Sequence, residues 1–137
     1  MFSRTRFVRV ACGSLIVFLL ATGCGDGGPE RGNVTGKVTL DGKPLEGADL
    51  EFQPTEGSPS YGTTNPDGKY KLMYTRDKKG AMVGEHTVRI TTSTTATDEN
   101  GNEIRVPQQV PPEYSREGVV KEVKPGRNKF DFDLKQQ

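Results

Sequence analysis

The sequence has no tryptophan, one histidine and only two cysteines among 137 residues, and aromatic side chains make up 7%. Each scarcity closes off a class of chemistry. The histidine and cysteines fall short of the four ligands of a structural zinc centre. Two cysteines cannot build the disulfide framework of a small secreted scaffold. Aromatics are few and interleave with no basic run, which argues against a nucleic-acid surface. Internal repeats of 20–50 residues are absent as well. What is abundant is glycine, at 17 residues, with 9 prolines. That balance favours a turn-rich β fold of one-domain length.

Long apolar runs are also scarce: there is one, residues 10–20 (VACGSLIVFLL), preceded by Arg4, Arg6 and Arg9 with no acidic side chain. It is too short for the roughly 20 residues of a spanning helix and fits the 7–15 of a signal-peptide core. The segment Leu20-Ala21-Thr22-Gly23-Cys24 resembles a bacterial lipobox, with Ala21 where the family prefers an aliphatic residue and Leu20 one position early. The resemblance implies a lipoprotein signal peptide over residues 1–23. It also implies a mature chain that begins at a lipidated Cys24, bearing acyl chains such as palmitate. An ordinary secretory signal cleaved near Ala21, or an uncleaved anchor, is the alternative.

Cysteine accounting agrees with lipidation, because Cys12 lies in the discarded core and Cys24 would otherwise be a lone exported thiol. At about 0.8 kcal/mol per buried methylene, several acyl chains anchor stably where one is marginal. The expected location is therefore an exported chain, lipid-anchored to the membrane. Gly25, rather than an aspartate, directly after the cysteine favours the outer membrane. Residues 24–32 form a Gly-rich tether with nothing apolar to dock. Removing residues 1–23 takes away three arginines, so the net charge falls from +1 to −2.

From residue 33 the pattern alternates with period two. Val34, Val38 and Leu40 share one face, against Thr35, Lys37 and Thr39; Ala48, Leu50 and Phe52 share another, against Asp49, Glu51 and Gln53. The turn Asp41-Gly42-Lys43-Pro44 between them predicts an opening hairpin over residues 33–54. Further strands are expected at residues 61–64, 69–75, 84–92, 118–123 and 129–135. Turns are expected at Asn65-Pro66-Asp67-Gly68 and at Pro125-Gly126-Arg127-Asn128. The expected core is Val38, Leu50, Phe52, Tyr70, Leu72, Val88, Ile90, Phe130, Phe132 and Leu134, with Tyr74 on the same face. Residues 93–112 read as a long loop, with a possible type I′ turn at Asn100-Gly101. With only Ile104, Val106 and Val110 to dock it, this loop is the expected contact surface.

The run Val34-x-Gly36-x-Val38, Asp41-Gly42-x-Pro44-Leu45-x-Gly47-Ala48, Leu50-x-Phe52-x-Pro54, Asp67-Gly68-x-Tyr70 and Gly84-x-His86-x-Val88-x-Ile90 resembles the carboxypeptidase regulatory-like domain. Pro111-Pro112-x-Tyr114 and the ending Pro125-Gly126-x-Asn128-x-Phe130-x-Phe132-x-Leu134 are similar to short bacterial lipoproteins carrying only that domain. The resemblance implies an all-β, immunoglobulin/transthyretin-like sandwich of about seven strands over residues 33–135. Its motifs are turns and core positions, so they speak to fold and not to activity.

Candidate chemistry is thin. His86 lies at the inward end of a strand with no serine or cysteine nucleophile beside it, and reads as a core-edge residue. Transthyretin-type 5-hydroxyisourate hydrolases need several histidines and a C-terminal motif that Leu134-Lys135-Gln136-Gln137 lacks. Lys37 and Asn128 stand near the chain positions of an adhesin-type isopeptide pair, but Lys37 falls on the solvent face. Asp98-x-Asn100-x-Asn102-Glu103 alternates oxygen ligands like a calcium loop, with its glycine misplaced and its closing glutamate missing. The outward charges Glu51, Lys71, Arg89, Asp131 and Asp133 read as protection against edge pairing.

The expectation is a non-catalytic lipoprotein of the bacterial envelope with no cofactor and no metal. Its partners would be the membrane, through Cys24, and an envelope protein or carbohydrate. The alternative is an accessory subunit presenting carbohydrate or protein to an exported enzyme or uptake system.

Overall fold

The computed structural model describes residues 27–136. The signal segment, Cys24 and the start of the tether lie outside the described residues. The first strand, β1 (Arg31–Leu40), is the longest, and it is the middle of one sheet. Asp41 (φ 49°) and Gly42 (φ 80°) both take positive φ and reverse the chain into β2 (Lys43–Pro44). This is the two-residue Asp-Gly turn whose twist suits a hairpin.

The hairpin ends there, which corrects the expectation for residues 33–54. β3 (Ala48–Pro54) pairs with no part of β1; it belongs to the opposite sheet. The chain changes sheets at Gly47, whose amide donates to the Thr64 carbonyl. The Thr64 hydroxyl accepts from the Ala48 amide and donates to the Leu45 carbonyl, so the buried corner leaves no polar atom of that hydroxyl wasted. The two alternating segments thus face each other across the core instead of lying edge to edge.

The remaining strands are β4 (Ser60–Thr63), β5 (Lys69–Lys71), β6 (Ala81–Met82), β7 (Gly84–Thr92), β8 (Thr95–Thr97), β9 (Glu103–Arg105), β10 (Val119–Val123), β11 (Gly126–Lys129) and β12 (Phe132–Leu134). A single π turn, Glu113–Glu117, precedes β10. The first sheet sets β11 and β12 parallel to β1 on one side, and β2, β5 and β6 antiparallel to it on the other. The second sheet runs β10-β7-β3-β4, all antiparallel. A small ribbon, β8-β9, stands apart.

Among the described residues there are twelve segments where about seven strands were expected, because the first sheet's outer strands are interrupted and residues 93–112 contain the β8-β9 ribbon. Residues 69–75 pair only at Lys69–Lys71, although Leu72 still points inward and Met73 bridges Tyr61. Tyr74 is half-buried, beneath the Arg31 guanidinium instead of in the core. The reversal at residues 125–128 is shorter than expected, with β11 already running from Gly126. Residues 129–135 break at Phe130 and Asp131, although the register with β1 is the same before and after the break (Thr35↔Lys129, Val38↔Phe132).

Gly36 explains the break. A Cβ there would collide with the Phe130 carbonyl oxygen and press on the Tyr70 ring. The Phe130 carbonyl turns out of the ladder over Gly36 and accepts a 2.7 Å hydrogen bond from the Tyr70 hydroxyl. Buried as it is, Tyr70 has a phenol held well above its ordinary pKa, first by desolvation and then by the nearby Asp131 charge.

The core lies between the sheets. Val34, Val38, Tyr70, Phe132 and Leu134 from the first meet Leu50, Phe52, Val88, Ile90 and Val123 from the second. Phe52 is fully buried and stacks on Phe130 across the sandwich at 6.1 Å. Val110 joins this core at 3% exposure, so the second half of residues 93–112 is docked, contrary to the expectation of little to hold it. Gln108 fixes the docking: its side-chain oxygen accepts from the Thr92 amide at 2.7 Å and from the Thr92 hydroxyl. The bonds cap the end of β7, a role that a period-two reading does not reveal.

Candidate functional site

The residues singled out by sequence do not come together. His86 is 1% exposed, with Nε2 donating to the Met82 carbonyl at 2.7 Å and its ring 6.0 Å from Phe52. A carbonyl can only accept, so Nε2 carries a proton. Nδ1 then points into the core without a partner among the described residues, as does the Ser60 hydroxyl. Both atoms are buried, and β3 separates the strands that carry them. Neither reaches a surface where a substrate would meet it.

Lys37 and Asn128 occupy opposite faces of the first sheet. Asn128 stands opposite Val34, and its amide is committed to the turn, accepting from the Lys124 amide and donating to the Lys124 and Asn33 carbonyls. Lys37 is three residues further along β1, level with Asp131.

The Asp98 carboxylate is likewise consumed by its own loop. It accepts from the Asn100 and Asn102 amides at 2.9 and 2.8 Å and from the Asn102 side chain. The Asn102 backbone bond is the largest of several that hold its pKa below the ordinary carboxylate value. The turn differs from the expected type I′, because Gly101 (φ 85°) takes positive φ and Asn100 does not. The result is a self-braced hairpin tip with Ile104 exposed beside it.

What the topology does assemble lies on the outer face of the first sheet. Outward positions of three neighbouring strands form two rows. Lys129, Thr35 and Lys71 stand side by side across β11, β1 and β5. In the next row Lys37 is directly opposite Lys69, with Asp131 on its other flank. Short residues on the middle strand, Thr35 and Gly36, between long lysines on both sides make the surface concave. The groove has a volume of about 750 Å³ and is lined by four lysines against a single carboxylate, Asp131. Thr63 and Asn65 also line it. A second hollow of about 290 Å³ continues past Thr35 and Lys71 and adds Lys79 and Arg127.

Asp131 does not neutralise this face. One of its oxygens accepts from the Lys37 backbone amide at 2.9 Å, while the other meets Lys129 at 3.6 Å. Lys37, Lys69 and Lys71 have no ion pair among the described residues. Alternation in the sequence marks Lys37 and Lys71 as outward, and there Lys71 reads only as protection against edge pairing. Gathering them requires β1 to pair in parallel with a strand 94 residues later, a register that no local signal announces.

No family model matches the chain, and no curated protein does. Among solved structures it is similar to BcpA, the major pilin subunit of Bacillus cereus, at 12% identity and a TM-score of 0.51, over 80% of this chain and 31% of the pilin. It is also similar to a DUF3823 family protein from Parabacteroides merdae, at 16% identity and a TM-score of 0.42, over 78% of this chain and 47% of that one. A third is the dioxygenase domain of a dioxygenase carbohydrate-binding protein fusion from Streptomyces sp. SirexAA-E, at 18% identity and a TM-score of 0.39, over 82% and 84%. The likeness is one of fold alone. The fold is a β-sandwich. The chain spans about a third of the pilin's length and about half of the DUF3823 protein's.

Proposed function

We propose that this chain is a non-catalytic binding module of the bacterial envelope, a regulatory-like β-sandwich held on a membrane by lipid at Cys24. The observation that carries the binding role is the groove on the outer face of the first sheet. Its lining of lysine, threonine and asparagine offers charge and hydrogen bonds to a ligand, whereas the one histidine is sealed in the core. The anchoring rests on the lipobox resemblance, the short apolar segment and the lone Cys24. β1 starts seven residues after that cysteine, so the tether keeps the sandwich within a few nanometres of the bilayer.

Cys24→Ala is expected to leave an unprocessed precursor and abolish acyl labelling, and normal labelling of that variant would refute the anchor. Membrane fractionation then assigns the leaflet, with the outer membrane expected. Pull-down from detergent-solubilised envelope tests the binding role, which fails if nothing is retained above a groove-altered control.

A second reading, an accessory subunit that docks on an exported enzyme or uptake system, draws on the projecting β8-β9 ribbon. Ile104, on β9 beside the tip, is 44% exposed on a braced hairpin, as suits a protein contact. Replacing residues 95–107 by a short Gly-Ser linker should spare folding, since Gln108 and Val110 lie beyond the deletion. Partner capture that disappears with the ribbon favours this reading; capture that persists returns the role to the groove.

A further inference from the structure

We infer that the groove on the first sheet binds a linear anionic polysaccharide, seated along β1 with its acidic groups on Lys37, Lys69, Lys71 and Lys129. The inference rests on the binding-module reading and is independent of the lipid anchor.

Three observations point to an extended polyanion. The cations form a grid, spaced by about 4.8 Å between strands and roughly 7 Å between alternate residues along one. A single small anion reaches one or two of these positions, whereas a chain with recurring charge reaches all four. The grid also costs the fold something, because Lys37 and Lys69 are direct cross-strand partners and like charges so placed repel. No ion pair to Lys37 or Lys69 offsets the repulsion among the described residues, and anions in the groove would relieve it. Finally, the two hollows adjoin at Thr35 and Lys71, so a chain leaving the first groove continues toward Lys79 and Arg127.

The rest of the lining separates a polysaccharide from other polyanions. Tyr70, the one aromatic residue in the groove, is buried, and its hydroxyl is spent on Phe130, so no ring is offered for base stacking. The large exposed apolar side chains, Tyr61, Ile104 and Val120, all lie elsewhere, so nothing at the groove inserts into a bilayer. The Thr35 hydroxyl and the Asn65 side-chain NH2 are suited to sugar hydroxyls, whereas the Thr63 hydroxyl is spent on Asp49 and the Asn65 side-chain oxygen on the Asp67 and Lys69 amides.

The test uses the full chain in neutral detergent micelles and titrates it calorimetrically with polygalacturonate, dextran sulfate, neutral dextran, oligothymidylate and anionic lipid vesicles. Saturable binding of at least one acidic polysaccharide is expected, with none to neutral dextran. Raising salt from roughly 0.05 to 0.2 M should weaken it about tenfold or more through counterion release. Lys69→Glu combined with Lys71→Glu should weaken it at least about tenfold, as should Lys37→Gln combined with Lys129→Gln. Arg89→Glu, on the other sheet, should leave it unchanged. A single cooperative thermal transition confirms that each variant is folded, with the midpoint free to move because Lys37 faces Lys69 and Arg89 faces Glu51. Undiminished binding by both groove variants overturns the inference, as does binding to neutral dextran. Tighter binding to oligothymidylate or vesicles, compared at equal charge concentration, also overturns it. If no polymer binds while envelope pull-down still retains a groove-dependent partner, the polysaccharide falls and the binding module stands.

Discussion

The two sheets share a core but present opposite outer faces. On the first, Lys37, Lys69, Lys71, Lys129 and Arg127 outnumber Asp131 and Asp133, and the surface between them is hollow. On the second, Asp49, Glu51, Glu85 and Glu122 stand against Arg89, which lies directly across from Glu51. Glu85 and Glu122 are also a like-charged cross-strand pair, at the β7-β10 side. A net charge near zero for the folded part therefore conceals a dipole. On the proposed binding role, such a molecule would meet an anionic polymer with its basic side, the acidic face discouraging attachment by the other.

Both faces are carried by one core, and the most damaging change strikes there. Phe52→Ala should destabilise the domain by about 3–5 kcal/mol in chemical denaturation, because the ring is fully buried between both sheets. It is a large part of a domain's roughly 5–15 kcal/mol. A loss below about 1 kcal/mol would mean that the faces do not share a core.

The next change isolates the centre of the basic face. Tyr70→Phe deletes the bond to the Phe130 carbonyl and should cost about 1 kcal/mol. The wild type should also lose stability as pH rises above about 10, where the unfolded chain ionises its tyrosines and the buried Tyr70, its pKa raised, stays neutral. The stability it contributes is thus full below that pH and declines above it. Alkaline denaturation of Tyr70→Phe should be correspondingly less steep.

These two predictions rest on parts of the molecule that differ in legibility. The inward residues around Phe52 and Leu50 were plain from period-two alternation, because burial of one face imprints itself residue by residue. The Tyr70 hydroxyl's partner was not, since Gly36 and Phe130 meet only through a parallel pairing of distant strands. The sheet change at Gly47 was hidden for a related reason: a local turn signal at Asp41-Gly42 cannot say where the chain goes after the hairpin closes. The basic groove inherits both difficulties, being built from outward positions of strands whose order the sequence leaves open.

A smaller effect sharpens the charge argument. Asp131→Asn should weaken stability by about 1 kcal/mol or less at low salt, through loss of the Lys37 amide's charged acceptor. The same change should tighten anionic-polymer binding, since it deletes the groove's one carboxylate. Opposite signs in the two measurements would be hard to obtain from a merely structural role.

The smallest effect belongs to neither face. Asp98, with its pKa lowered by the loop amides, stabilises the ribbon tip above its unfolded pKa and ceases to do so as pH falls through its folded one. Protection factors of the Asn100 and Asn102 amides, taken relative to intrinsic exchange at each pH, should fall under acid, with those of the two sheets unaffected.

The most direct test of the two-faced account is residue-resolved mapping of amide shifts in the labelled protein as an acidic polysaccharide is added. The account predicts that shifts concentrate on Thr35–Lys37, Lys69–Lys71 and Lys129–Asp131, while Asp49, Glu51, Arg89 and Glu122 stay in place. Perturbations centred on the second sheet, or spread evenly over both, would contradict it.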